Sequence, residues 1–161
     1  VLALDLDGDG LELASAKKAR ARFDYGGDGG GDDTGWVKGD DGFLVIDRDG
    51  DGLITDATEL SLAAEHADAR TGLQGLARLD SNGDGVVDKE DARFGELRVW
   101  QDRNGDGATD AGELRTLADA GLVSIRSSRR TASSTGGIAV AGSSRCLRAR
   151  SAVVCTTSTP A

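Results

Sequence analysis

Several residue types are scarce in this 161-residue chain. It has one histidine, two cysteines, one proline and no methionine. His66, Cys146 and Cys155 are too few donors for a zinc or haem centre. No run approaches the roughly 18 apolar residues of a membrane span. No charged start leads into an apolar segment, so no uncut secretory signal peptide is expected. Glycine is common at 24 residues, but it shows no period of three, which excludes collagen. Acids outnumber bases 28 to 19, for a net charge of −9, a poor balance for a general nucleic-acid binder. Aromatic residues number only six. The length suits one domain, or one domain with a tail.

The charge is unevenly placed. All acids lie at or before Asp119, while residues 126–161 hold Arg126, Arg129, Arg130, Arg145, Arg148 and Arg150. Residues 1–125 therefore carry thirteen bases against twenty-eight acids, a net −15. So acidic a body, with few aromatics, either stays disordered or needs a cation to complete its fold. The order of the acids favours the cation.

Four stretches read acid-x-acid-or-amide-x-acid-Gly. They are Asp5-Asp7-Asp9-Gly10, Asp47-Asp49-Asp51-Gly52, Asp80-Asn82-Asp84-Gly85 and Asp102-Asn104-Asp106-Gly107. A degenerate fifth has Asp24, Asp28 and Gly29, with Gly26 at a ligand position. Calcium is a hard cation that takes six to eight oxygens, and its twelve-residue loops use this spacing. Positions 1, 3 and 5 give side-chain oxygens, position 6 is Gly, position 7 gives a carbonyl and position 12 a carboxylate. The Asp102 loop meets the whole template, with Ala108 offering its carbonyl, Asp110 at position 9 and Glu113 at position 12. The Asp80 loop does so with the Val86 carbonyl, Val87 at position 8, Asp88 at 9 and Asp91 at 12. The Asp47 loop has Ile54 at position 8 but Thr58 at 12, so Glu59 closes a loop one residue longer. The Asp5 loop has Ala16 at position 12 and reads as an open turn between strands. Any one of these could be a plain Asp-Gly turn; two loops complete to position 12 in one short chain argue for cation binding.

The intervening segments predict helices. Leu73, Leu76 and Ala77 share a helical face, as do Phe94, Leu97 and Trp100, and then Leu114, Leu117, Ala118 and Leu122, with Gly121 as a stop. With loop starts 22 residues apart, the expected unit is helix–loop–helix–loop–helix, EF-hand-like and compact in the dockerin manner. Leu2, Leu4 and Leu6, then Leu11 and Leu13, alternate around the first loop and predict strand–turn–strand. Trp36–Val37 and Phe43–Ile46, joined through Asp40–Asp41–Gly42, predict two more strands. The expected fold is α+β, with a small N-terminal β region ahead of the helical unit. Its core is thin, so ion binding must supply part of the stability. From Ser127 the chain loses periodicity and becomes rich in Ser, Thr and Arg. The expected division is a calcium-binding module at 1–125 and a poorly ordered basic tail at 126–161, whose cysteines either pair after export or remain free thiols.

The stretches LALDLDGDG (2–10), TGWV (34–37), DDGFLVIDRDGDG (40–52), LARLDSNGDGVVD (76–88), LRVWQDRNGDG (97–107) and AGELRTLADAGLVSI (111–125) occur in one order. Over residues 2–125 they resemble the self-processing module of FrpC-like proteins, secreted relatives of RTX toxins. The resemblance implies type I export to the bacterial surface or medium, calcium-induced folding and calcium-triggered cleavage of an Asp–Pro bond just before the module. It also implies that the new aspartyl end is hydrolysed or joined to a lysine amine of another protein. The chain departs from the pattern at Val1, where the family has proline, at Ser61–Leu62, where Phe–Gly is usual, and at Gly26. Three or four calcium ions, a monomer and no nucleic-acid partner are expected. The alternative is a non-catalytic, calcium-dependent folding or adhesion spacer. A sensor that opens a groove for a partner helix fits less well, because such grooves are commonly lined with methionine.

Overall fold

The structure is a computed structural model that describes residues 1–127, together with the backbone of two short strands at 148–149 and 152–153. In chain order the strands are β1 (Leu2–Leu4), β2 (Leu13–Ala14), β3 (Arg22–Phe23), β4 (Asp32–Asp33), β5 (Trp36–Val37), β6 (Gly42–Ile46), β7 (Val86–Asp88), β8 (Leu97–Trp100), β9 (Leu114–Thr116), β10 (Ser124–Arg126), β11 (Arg148–Ala149) and β12 (Ala152–Val153). Two α-helices, α1 (Ala57–Leu60) and α2 (Gly72–Leu79), lie between β6 and β7.

An antiparallel sheet in the order β1-β6-β8-β9 organises the molecule. Both of its faces are covered. Leu2, Leu4, Leu44, Ile46, Leu97 and Val99 join Leu62, Leu76 and Leu79 in one apolar cluster. Ala3, Phe43, Val45 and Trp100 join Phe23, Trp36, Ile54 and Leu60 in another. This is why β6 reads as the unbroken run Gly-Phe-Leu-Val-Ile, all of it buried: successive side chains point to opposite faces, and each meets a core. The second cluster concentrates the aromatics. The Trp36 ring lies 4.9 Å from Phe43 and 5.5 Å from Trp100, both edge-on.

Helix α2 starts where Thr71 Oγ1 accepts the Gln74 N–H at 3.2 Å, and it ends at Asp80, the first residue of the Asp80 loop. Its Gly75 lies against a 3₁₀ turn at Leu62–Glu65, where a Cβ would stand 1.6 Å from the Leu62 carbonyl oxygen. The almost fully buried Glu65 carboxylate accepts from Arg48 at 2.6 Å and also from Arg93, tying the Asp47 loop to the segment after the Asp80 loop.

The chain is mostly β, which corrects the predicted α+β fold with its helix–loop–helix–loop–helix unit. Of the three expected helices, only the one at 72–79 forms. Phe94–Glu96 is a single 3₁₀ turn, and Leu97–Trp100 is strand β8. The spacing of Phe94, Leu97 and Trp100 imitates a helical face. Leu97 and Val99 nevertheless enter one core and Trp100 the other, which requires a strand's two-residue alternation. Leu114 likewise opens strand β9. Beyond it the Leu122 N–H donates to the Leu117 carbonyl at 2.8 Å, Gly121 has φ of 75°, and the chain turns into β10, which pairs with β7. Gly121 thus ends a turn and not a helix. The loops are joined by strands and turns, so no EF-hand or dockerin helix pair frames them.

Within the segment expected as a tail, Arg126 belongs to β10, Ser127 Oγ donates to Asp80 Oδ2 at 3.1 Å, and β11 pairs with β12. Cys146, Cys155, Arg129, Arg130, Arg145 and Arg150 lie outside the described residues.

Candidate metal centres

All five acidic stretches adopt one backbone turn. The carboxylate at position 1 accepts the N–H groups of positions 4 and 6. Asp5 takes those of Gly8 and Gly10, Asp24 those of Gly27 and Gly29, and Asp47 those of Gly50 and Gly52. Asp80 takes Gly83 and Gly85, and Asp102 takes Gly105 and Gly107, at 2.7–2.8 Å. Wrapping two N–H groups around one carboxylate needs positive φ at both donors. In the Asp102 loop they stand at 70° and 83°, where a side chain is strained. Position 4 is therefore as much a glycine position as position 6, a regularity that the six-residue pattern does not announce.

A second carboxylate closes each complete loop from below. Glu113 Oε1 accepts the Arg103 N–H at 2.8 Å and Oε2 the Asp110 N–H at 3.1 Å. Asp91 does the same with Ser81 at 2.7 Å and Asp88 at 2.9 Å. Glu59 does so with Arg48 at 3.1 Å and Thr55 at 2.9 Å. In each case the donors are the second and ninth residues of the loop. Glu59, sitting one position late, reaches its place because α1 carries it: Asp56 caps that helix, accepting the Thr58 and Glu59 N–H groups. Closing acids are buried, whereas Asp49, Asp51, Asn82, Asp84, Asn104 and Asp106 are exposed. The Asp47, Asp80 and Asp102 loops thus each have a buried floor and an open rim.

Among the described residues, three carboxylates bring oxygens within 4.8 Å of one another in two places. One group is Asp47, Asp49 and Glu59. The other is Asp5, Asp7 and Asp41. Asp9 and Asp51 stand outside these groups. In the Asp80 and Asp102 loops the residue at position 3 is an amide that donates to rim acids. Asn104 Nδ2 donates to Asp106 at 3.0 Å and to Asp110 at 2.9 Å, and Asn82 Nδ2 donates to Asp84 at 3.4 Å. Val86 opens strand β7, whose Val87 faces Ile125, and the Ala108 N–H donates to Asp106 at 2.9 Å. The Asp47 and Asp102 loops meet at their eighth residues, where the Ile54 N–H donates to Thr109 Oγ1 at 3.0 Å.

Burial and donors compete in setting these charges. At Asp102, which is wholly buried, burial wins and raises the carboxyl above its ordinary value. The Gly107 and Gly105 N–H groups and the Trp36 indole, whose Nε1 donates to Oδ2 at 2.7 Å, pull the other way. At Asp91 burial also pushes upward, but the N–H groups of Asp88 and Ser81 and the Ser81 hydroxyl prevail, and the carboxyl is lowered. Asp41 is pushed up to about 6 by burial, against the N–H groups of Glu12 and Leu6. A cation placed among these carboxylates reverses the upward pressure. The donors are all oxygens, which suits a hard divalent ion and not a thiolate- or imidazole-loving one.

Three contributors escape a reading of the sequence: Asp41, the Trp36 indole, and the loop's own second and ninth N–H groups. Asp41 sits in a turn between strands, and the one hint of it is the missing acid at Ala16. Trp36 is 66 residues from its partner, a pairing that no local pattern encodes. Ser61, a departure from the family pattern, caps α1 and accepts the Val1 amine at 3.5 Å, at the N-terminal edge of β1.

The SPM domain matches residues 2–153. The iron-regulated protein FrpA of Neisseria meningitidis serogroup C is 49% identical over 129 residues, which is 77% of this chain and 12% of that protein. The chain thus spans about an eighth of the curated relative it matches. No helix among the described residues is long and apolar enough to cross a membrane. With a family match over most of its length and glycine-carboxylate loops throughout, the chain belongs to the SPM domain family.

Proposed function

We propose that the chain is a calcium-folded module of an exported RTX-type protein, and that it supports calcium-dependent cleavage of an Asp–Pro bond at its N-terminal edge. The observation that carries the calcium reading is the shared loop frame: a first carboxylate over two glycine N–H groups, and a buried second carboxylate beneath. Asp47, Asp49 and Glu59 bring three carboxylates together in this way. Asp80, Asn82, Asp84, the Val86 carbonyl and Asp91, and likewise Asp102, Asn104, Asp106, the Ala108 carbonyl and Glu113, offer oxygen sets of the size calcium takes. Calcium, when bound, supplies the charge that lets these acids pack. Without it a body of net −15 repels itself, which suits a chain kept unfolded for export and folded outside, where calcium is abundant.

The cleavage chemistry needs little from the module beyond placement. An aspartate carboxylate oxygen attacks its own main-chain carbonyl carbon, closing a five-membered anhydride. The C–N bond to the following residue breaks, and that nitrogen leaves with a proton. Water then opens the anhydride to an aspartyl end, or a lysine amine of another protein opens it to an isopeptide. Holding the carboxylate in attack geometry converts an improbable encounter into an intramolecular one. Residue 1 is the first residue after the scissile bond in this reading. Strand β1, paired with β6 and buried throughout, fixes its position.

The test is a chain in which Asp–Pro is restored directly before Leu2. Adding calcium is expected to release the upstream segment, seen as a size shift on a denaturing gel. An intact chain that still folds with calcium overturns the cleavage reading and leaves the folding or adhesion spacer.

A further inference from the structure

The first loop lacks a closing acid of its own, yet its floor is not empty. In the antiparallel pairing of β1 and β6, Leu2 faces Leu44, Ala3 faces Phe43 and Leu4 faces Gly42. Continued one step, this register puts Asp41 opposite Asp5. A second pairing brackets the turn: Leu13 faces Val37, and the Lys38 N–H donates to the Glu12 carbonyl at 3.0 Å. Held from both sides, Asp41 Oδ2 accepts the Glu12 N–H at 2.7 Å. Glu59, Asp91 and Glu113 make the same kind of contact with the far end of their own loops. The other oxygen is what matters here. Asp41 is 1% exposed, and its Oδ1 is buried without a hydrogen-bond partner. An unpaired buried carboxylate oxygen is costly. Asp41 also belongs to the group in which Asp5, Asp7 and Asp41 bring carboxylate oxygens within 4.8 Å of one another.

We infer that Asp41 is the closing ligand of a cation site at the first loop, formed between the end of β1 and the β5–β6 turn. Its unpaired oxygen leaves Asp41 with a free acceptor for a divalent cation shared with Asp5 and Asp7. The Asp47, Asp80 and Asp102 loops close within 12 or 13 residues, so they can bind before the sheet exists. This one closes across 36 residues of chain, between Asp5 and Asp41, and is complete only when β1 has paired with β6. The cation at this site therefore clamps the N-terminal strand to the sheet and couples calcium to the edge where cleavage is proposed. The inference rests on the calcium reading of the loops and adds to it a ligand and a role for one ion.

Native mass spectrometry in calcium counts the ions on the wild-type chain, on Asp41→Asn, on Asp7→Asn and on the double variant. The expected result is one ion fewer in each single variant and no further loss in the double, because both acids serve one site. Asp7 is exposed, and its side chain accepts the Asp9 N–H at 3.1 Å, a contact that an asparagine Oδ1 can also make, so Asp7→Asn tests the site even where Asp41→Asn misfolds. Hydrogen exchange supplies the second readout: Leu2–Leu4 amides exchange faster in both variants, while β8 and β9 stay protected. An ion count unchanged by Asp7→Asn and Asp41→Asn overturns this inference alone. A wild-type chain carrying no calcium overturns the calcium reading as well.

Discussion

Replacing Trp36 by phenylalanine removes one hydrogen-bond donor from the floor of the Asp102 loop. The indole Nε1 lies 2.7 Å from Asp102 Oδ2, and both residues are buried. A hydrogen bond to a charged group contributes about 1.5–3 kcal/mol. At 1.4 kcal/mol per tenfold change, that is roughly 10- to 150-fold in affinity. Loss of a hydrogen bond that orients a ligating carboxylate falls in the same range, about 10–100-fold. The structure supplies its own control. Trp100 is an equally buried indole in the same aromatic cluster, and its Nε1 has no partner among the described residues. Trp100→Phe deletes the same atoms from the same core without touching the loop. Each variant keeps one tryptophan as reporter, so calcium titrations by fluorescence compare them directly. Trp36→Phe is expected to weaken one class of sites about tenfold or more beyond Trp100→Phe. Equal affinities in the two variants would refute the claim that the indole holds this carboxylate for a cation.

Other consequences follow from single contacts. Gly75→Ala forces a methyl group against the Leu62 carbonyl and is expected to cost about 1–3 kcal/mol, read from thermal unfolding in calcium. Asp56→Ala removes the cap of α1, worth about 0.5–2 kcal/mol, and should selectively weaken the site that Glu59 closes, seen as the loss of one ion at limiting calcium. The Thr58 hydroxyl, then the Glu59 and Thr58 N–H groups, hold the Asp56 carboxyl below its ordinary 3.8. Its contribution is therefore fully present above that value and fades as pH falls through the lower folded value. Acid titration of the Asp56→Ala variant should accordingly lack the part of the wild type's stability loss that lies below pH 3.8.

The loops were legible in the sequence because their chemistry is local. Asp80 through Asp91 and Asp102 through Glu113 each carry first acid, glycines and closing acid within twelve residues. Even Glu59 could be placed by counting one residue further. The helices were not legible, because Phe94, Leu97 and Trp100 fit a helical period, while in the strand Leu97 and Trp100 point to opposite faces. The choice was made by two cores, one on each face of β8, that a linear reading cannot see. Asp41 and Trp36 were hidden for a related reason. Their partners lie 36 and 66 residues away, and only the β1–β6 and β2–β5 registers bring them to the loops. What the sequence did show was an excess of acids in a regular order, and in the fold those ordered acids line loop floors and rims.

The most direct test of the central claim is a calcium titration of the chelated chain, followed together by near-ultraviolet circular dichroism of Trp36 and Trp100 and by far-ultraviolet strand signal. Calcium completing the fold predicts that both signals rise over the same calcium range, as the aromatic cluster and the sheet form with the loops. Spectra that are identical in chelator and in millimolar calcium would contradict it.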